Sequence, residues 1–246
     1  MKEHSLQRPR HADTTLLKPT ACGPSLKEPA IGGLVPFSSV DWPGKLCAVV
    51  FLTGCPWRCG YCHNPHLHER DSVVSMDKLR AFLRTRSGLL DGLVISGGEP
   101  LMDPACPELA RLAKELGYQV ALHTAGIYPD RLVSMIDRLD WVGLDIKTTS
   151  DRYDALTQRK RSFAPVMESL EHLLKWGGSF ECRTTWDPSW LPQAALMELA
   201  EMLCAQGVRT FAVQRYREKG AYSPRAELSP SACDTLKSMF AHFDYR

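Results

Sequence analysis

The chain has 246 residues, 44% of them hydrophobic and 24% charged, with a formal net charge of +2. Those values predict one sizeable globular domain, and a charge so near balance gives no footprint of a polyanion such as nucleic acid. No apolar run approaches the roughly 18 residues that read as a membrane helix, and the N-terminus lacks the short hydrophobic core of a signal peptide, so a soluble, cytoplasmic protein is expected.

Residues 1 to about 30 are rich in Pro, Lys, Arg, His, Ser and Thr without helical or strand periodicity. They are expected to form a flexible tail with no catalytic role, leaving residues 31–246 as the working domain. From Leu46 onward, short β-branched runs alternate with longer helical patterns, the signature of βα units and a parallel sheet. Strands are predicted at Cys47 to Leu52, Leu93 to Ser96, Gln119 to His123, Trp141 to Ile146, Phe180 to Thr184 and Phe211 to Gln214. Helices are predicted at Met76 to Arg84, Glu108 to Leu116, Pro129 to Leu139, Ser162 to Trp176, Pro192 to Gln206 and Pro230 to Phe240. Six such units make a partial (β/α)6 barrel, open at one side to a bulky substrate; a closed barrel needs eight strands and typically about 250 residues. The competing architecture is an open doubly wound sheet, but no GxGxxG follows the first strand as its dinucleotide-binding version requires.

Directly after the first predicted strand stands Thr53-Gly54-Cys55-Pro56-Trp57-Arg58-Cys59-Gly60-Tyr61-Cys62-His63-Asn64-Pro65. A four-iron cubane cluster normally takes four thiolates, so the set Cys55, Cys59 and Cys62 can hold a cluster while leaving one iron open to a ligand. A closed zinc site of the Cys3His kind, with His63, is the competing reading. Adjacent Cys62 and His63 are strained as joint ligands, however, and no second CxxC pair completes a ribbon. A disulfide framework fits worse, because nine cysteines are an odd number and no secretory segment is expected. The other six, Cys22, Cys47, Cys106, Cys182, Cys204 and Cys233, are scattered singly and read as ordinary thiols.

The remaining motifs fall at or near the C-terminal ends of predicted strands, where parallel α/β folds place ligands. In Ser96-Gly97-Gly98-Glu99-Pro100 the paired glycines admit close backbone approach and Glu99 offers an acceptor. Leu122-His123-Thr124-Ala125-Gly126 follows the third strand, and Leu144-Asp145-Ile146-Lys147 closes the fourth. Arg183, in Cys182-Arg183-Thr184-Thr185, carries a planar fork suited to a carboxylate or to ribose hydroxyls.

The CxxxCxxC spacing, with an aromatic residue directly before the last Cys, resembles the signature of the radical S-adenosylmethionine (SAM) enzymes. That resemblance implies a [4Fe-4S] cluster on Cys55, Cys59 and Cys62, with SAM chelated by the open iron and split to a 5′-deoxyadenosyl radical that abstracts a hydrogen atom. Ser96 to Pro100 resembles the family's GGEP motif, which implies that Gly97, Gly98 and Glu99 hold the SAM methionyl ammonium. Residues 122–126 and 144–147 look like segments that line the SAM pocket in the glycyl-radical-enzyme activases, the branch to which pyruvate formate-lyase activase belongs. By that likeness Thr124, Asp145 and Lys147 bind SAM, Arg183 matches an Arg that contacts it, and Tyr61 and His63 stand beside the cofactors. His123 and Ala125 replace the Asp and Asn of some activases, which removes a hard oxygen ligand and counts against a monovalent cation.

Leu34-Val35-Pro36-Phe37-Ser38-Ser39-Val40-Asp41-Trp42-Pro43-Gly44-Lys45, together with Cys62-His63-Asn64-Pro65, most resembles the anaerobic ribonucleoside-triphosphate reductase activating proteins, over about residues 31 to 217. The resemblance implies a glycyl radical enzyme as partner, a flavodoxin or ferredoxin as electron donor, and Asp41 and His63 as contacts to the partner's glycine loop. No further CxxC set lies between His63 and Gly88, which argues against the two-cluster activases. An activase of a pyruvate formate-lyase type enzyme, a radical SAM enzyme acting on a small molecule, and a non-enzymatic metal protein remain as alternatives.

Overall fold

The computed structural model describes residues 28–218, 221–223 and 227–246. Most of the expected N-terminal tail, including Cys22, lies outside those residues. The strands are β1 (Ile31–Ser38), β2 (Cys47–Leu52), β3 (Gly92–Gly97), β4 (Gln119–Thr124), β5 (Trp141–Asp145), β6 (Phe180–Trp186), β7 (Thr210–Arg215), β8 (Arg217–Glu218), β9 (Ala221–Tyr222) and β10 (His242–Tyr245). The helices are α1 (Met76–Arg86), α2 (Cys106–Glu115), α3 (Pro129–Met135), α4 (Ser150–Thr157), α5 (Phe163–Trp176), α6 (Gln193–Ala205) and α7 (Pro230–Met239). Eight strands form one sheet in the order β1-β2-β3-β4-β5-β6-β7-β10. Every neighbouring pair is parallel except β1 with β2.

The six predicted strands are β2 to β7, so the expected partial barrel is present with its βα units in sequence. Three elements go beyond it. The antiparallel β1 extends one edge; Gly32, Gly33 and Pro36 hide it from a strand pattern, and Pro36 is tolerated because β1 has a neighbour on one side only. Strand β10 adds a seventh parallel strand beyond β7. Helix α4 is a short insertion between β5 and α5. Helix α3 is shorter than predicted, giving way at Met135 to a tighter turn over Ile136–Arg138.

Strands covered on both faces read as near-continuous apolar runs, which is why β2 to β5 are prominent in the sequence. Their outward residues, such as Val50, Ile95, Leu122 and Leu144, join the helices in the main core. Inward residues at the N-terminal half of the barrel, Cys47, Val49, Val94, Ala121 and Trp141, pack with Trp42 as a second apolar cluster. Trp42 stacks on Trp141 with ring centroids 6.2 Å apart. Further along the same strands the inward positions become polar: Ser96, His123, Asp145, Arg183 and Gln214 line a cleft. On the β2 to β5 side the barrel therefore has an apolar floor, and its mouth is polar. No helix among the described residues is long and apolar enough to cross a membrane.

Candidate active site

The cleft at the C-terminal ends of the strands encloses about 280 Å³, and Cys55, Cys59 and Cys62 all line it. All three are free thiols and partly exposed, whereas Cys47, Cys106 and Cys182 are buried. Backbone hydrogen bonds shape the cysteine loop from both sides. Gly54 and Cys55 N–H donate to the Leu67 and His68 carbonyls at 2.8 and 3.0 Å, and Cys62 N–H donates to the Cys59 carbonyl at 3.0 Å. Arg58 and Gly60 N–H donate to the Thr157 and Leu156 carbonyls at the end of α4, at 3.0 and 3.3 Å. The unpredicted helix thus pins the loop that carries the motif. Burial pushes the Cys55 thiol up to about 11 and raises that of Cys59, so binding to iron must displace protons.

Beside this loop, Gly97 and Gly98 bring β3 into the closest backbone approach in the site. Gly97 has φ +143°, and a Cβ there would stand 2.0 Å from the Leu52 carbonyl oxygen. A Cβ on Gly98 would lie 2.7 Å from the Gly54 carbonyl oxygen and 3.0 Å from the Cys55 Cβ. Both glycines line the cleft; Glu99 does not. Expected from the sequence as an acceptor for a ligand, Glu99 instead commits its carboxylate inside the core. Oε1 accepts from the Thr124 hydroxyl at 2.8 Å and Leu101 N–H at 3.1 Å, and Oε2 accepts from Ala125 N–H at 2.9 Å. Burial pushes its carboxyl up to about 7, with the three donors opposing that rise. It braces the β4 end that presents Thr124.

Asp145, Lys147 and Arg183 form one charged group across β5 and β6. Arg183 Nε and Nη2 donate to Asp145 Oδ1 at 3.0 and 2.8 Å, and Lys147 Nζ lies 3.7 Å from Oδ2. Burial alone would raise the Asp145 carboxyl, but Arg183 and Lys147 hold it below the usual range. Burial likewise works against charge on Lys147, which Tyr61, Asp145 and Cys59 outweigh, so its ammonium persists. His123 is neutral, held down to about 3 by burial and by the nearby Arg183. Its Nε2–H donates to the Asp41 backbone carbonyl at 2.7 Å, across 82 positions of sequence. Asp41 thereby stands on the cleft wall, its Oδ2 accepting from Ser38 Oγ at 2.5 Å.

An aromatic group gathers around Tyr61 and His63, the two residues that flank the last cysteine. Tyr61 is buried, stacks on Trp190 at 4.7 Å, and lies under Lys147 Nζ, 5.7 Å from its ring centroid. Tyr216 packs edge-on against Trp190 at 4.8 Å and stacks on His63 at 5.2 Å. His63 Nε2 lies 3.1 Å from the Arg217 carbonyl, so its ring is engaged with the chain after β7. Sequence reading missed Trp190, Tyr216 and Gln214. Only their position after or at the end of β6 and β7 could have flagged them, because isolated aromatic and amide residues carry no pattern.

The donor set fits a multi-iron cluster. Three thiols face one cleft, yet among the described residues no three His, Cys, Asp or Glu side chains converge as ligands of a single ion. A cluster presents separate irons to separate thiolates, so convergence on one point is not needed. The hard oxygens expected around a monovalent cation are otherwise engaged: Thr124 Oγ1 with Glu99 and Gly126 N–H, and Asp145 with Arg183 and Lys147.

Comparison with known proteins agrees with this geometry. The family model of the radical SAM superfamily matches residues 49–185. A putative glycyl-radical enzyme activating enzyme of Methanocaldococcus jannaschii is 30% identical over 210 residues, covering 81% of this chain and 85% of that protein. The pyruvate formate-lyase-activating enzyme of Clostridium pasteurianum is 34% identical over 145 residues, which is 54% of this chain and 60% of that one. Among solved structures, Streptococcus suis SuiB superposes with a TM-score of 0.60 at 15% identity, over 79% of this chain and 47% of its own. A structure titled "Native anSMEcpe with bound AdoMet and Cp18Cys peptide" gives 0.56 at 15% identity, over 78% and 60%. These two show the fold alone. The superfamily implies a [4Fe-4S] cluster and SAM as cofactors. The chain is thus a radical SAM enzyme and belongs to the family of glycyl-radical enzyme activating enzymes.

Proposed function

We propose that this protein activates an anaerobic ribonucleoside-triphosphate reductase by removing a hydrogen atom from one backbone glycine of that partner. Cys55, Cys59 and Cys62 hold the cluster, and bound together the cluster and SAM supply the radical that takes the hydrogen atom. The Gly97–Gly98 backbone receives the SAM ammonium, with Glu99 fixing the floor beneath. Thr124, Asp145, Lys147 and Arg183 line the rest of the SAM pocket, and Tyr61 and His63 close it next to the cysteines. The observation that carries the reading is the placement of Asp41 at the cleft wall. The segment after β1 leaves the sheet and enters the barrel, and there, with His63, it offers contacts to an incoming glycine loop. Residues 31–246 act as one domain. The protein works in the cytoplasm, where its nine cysteines stay reduced and a flavodoxin or ferredoxin supplies the electron.

Low-temperature electron spin resonance tests this on anaerobically reconstituted, dithionite-reduced protein. The expected record is a reduced-cluster signal perturbed by SAM, then a glycyl doublet on added reductase. The Clostridium pasteurianum relative supports a second reading, activation of a pyruvate formate-lyase type enzyme. A doublet on that partner and none on the reductase would replace the first assignment with the second.

Gly143→Ala probes the pocket without removing any polar group. The new Cβ would stand 2.7 Å from Arg183 Cζ and 2.9 Å from Nη1, displacing the guanidinium. Titration calorimetry on reconstituted protein is expected to show SAM affinity about tenfold weaker, roughly 1.4 kcal/mol, with iron content unchanged. Wild-type affinity in this variant would remove Arg183 from the SAM pocket.

A further inference from the structure

A second charged layer lies in the barrel beneath Arg183. Glu181 stands two residues before Arg183 on β6, on the same face, and only 3% of its side chain is exposed. Arg246 reaches it from beyond β10, with Nη2 2.7 Å from Oε1 and Nη1 3.4 Å from Oε2. Nη1 also donates to Asp244 Oδ2 at 2.6 Å. The backbone holds Arg246 in place alongside β7: its N–H donates to the Val213 carbonyl at 3.1 Å, and its carbonyl accepts from Arg215 N–H at 2.6 Å.

Arg183 stands between two carboxylates. Its guanidinium lies over Gly143, the cross-strand partner of Glu181, while its hydrogen bonds go to Asp145. A buried carboxylate without a partner is costly, so it draws in whichever cation can reach it. Arg183, on the same face of β6, is suited to that, because its fork matches either carboxylate. Lys147, 3.7 Å from Asp145 Oδ2, would still offset the charge that Arg183 left behind.

We propose that Arg246 is a positioning residue for Arg183: by engaging Glu181 it leaves Asp145 as the acceptor for Arg183 and keeps that guanidinium at the cleft. The significance for cofactor binding rests on the reading that Arg183 contacts SAM, and the two ideas separate experimentally. The side-chain Nε–H of Arg183 in 15N-arginine-labelled full-length protein reports the bond to Asp145 directly, its signal identified by its loss in Arg183→Lys. Calorimetry on the reconstituted protein reports SAM affinity.

Arg246→Gln is expected to displace the Arg183 Nε–H signal and to weaken SAM binding about tenfold. Adding Glu181→Gln in the same chain removes the competing carboxylate, and is expected to bring the signal back and the affinity to within about twofold of wild type. Arg246→Lys, which keeps the charge and guards against a folding defect in the Gln variant, is expected to leave the signal near its wild-type position. An unmoved signal in Arg246→Gln overturns the proposal. So does a double variant as impaired as the single one, which is what a merely structural loss would give, or a displaced signal in Arg246→Lys. A displaced signal with unchanged SAM affinity upholds the positioning and overturns the role of Arg183 toward SAM.

Discussion

Cys59→Ala protein, reconstituted with iron and sulfide under anaerobic conditions, is expected to hold no more iron than a mock sample and to cleave no SAM above background. Two thiolates remain in that variant, below the three that leave a single iron open. The loop itself should persist. Its shape comes from backbone groups, including the Arg58 and Gly60 bonds to α4 and the Cys62 bond to the Cys59 carbonyl, none of which needs the thiol. Cys59 is partly exposed, so the stability of the iron-free protein should shift by no more than about 0.5 kcal/mol. Cys182→Ala serves as the contrast: that thiol is buried against the helices and should be dispensable for iron. SAM cleavage retained by Cys59→Ala would remove the assignment of the cluster to these three cysteines.

Glu99→Ala is expected to be among the most destabilising substitutions in the cleft region, costing on the order of 3 kcal/mol at about 1 kcal/mol for each of three orphaned donors. Thr124 Oγ1, Ala125 N–H and Leu101 N–H all lose their acceptor in a place water does not reach. The same residue gives a pH signature in iron-free protein. Its folded carboxyl titrates near 7, above the unfolded value of about 4.3. Between those values the native state holds a proton that the unfolded chain has released, so the Glu99 contribution is full at low pH and falls as pH rises through that window. The change is of order 3 kcal/mol.

His123 acts in the opposite sense. Its folded value near 3 lies below the unfolded 6.5, so its contribution is lost as pH falls from about 6.5 toward 3. The two slopes oppose each other where they overlap, and the difference between wild type and Glu99→Gln isolates the first. Urea unfolding of both proteins from pH 4.5 to pH 8 should show the Gln variant gaining relative stability as pH rises. Parallel curves would mean that Glu99 titrates at an ordinary carboxyl value, and that the cleft floor is not held by a proton-sensitive group.

The parts of this protein that were legible in advance share one property: their signal is local. The strands from β2 to β5 announce themselves through short apolar runs because both faces of each are covered, and β6 and β7 through short stretches of β-branched and apolar residues. Cys55, Cys59 and Cys62 are legible through their spacing, and Gly97 and Gly98 through a doublet at a strand end. Strand β1 escaped notice because two glycines and a proline break its pattern. Strand β10, with the sequence His242-Phe243-Asp244-Tyr245, is short and mixes polar with aromatic residues, and nothing local distinguishes it from a loop. Helix α4 is only 8 residues long, and its role is to offer two terminal carbonyls to a loop about a hundred residues earlier.

By itself the sequence determined the βα alternation, the ends of the strands at which chemistry is placed, and the three-cysteine motif, since each depends on residues close together in the chain. Tertiary structure alone decided where the charged and aromatic side chains turn. Glu99 faces the core rather than the cleft, His123 anchors Asp41, Trp190 and Tyr216 enclose Tyr61 and His63, and Arg246 sits on Glu181 beneath Arg183. Each of those choices depends on which groups a fold brings together from distant strands, and on the cost of leaving a buried polar group without a partner. Neither quantity is written in any one stretch of the chain.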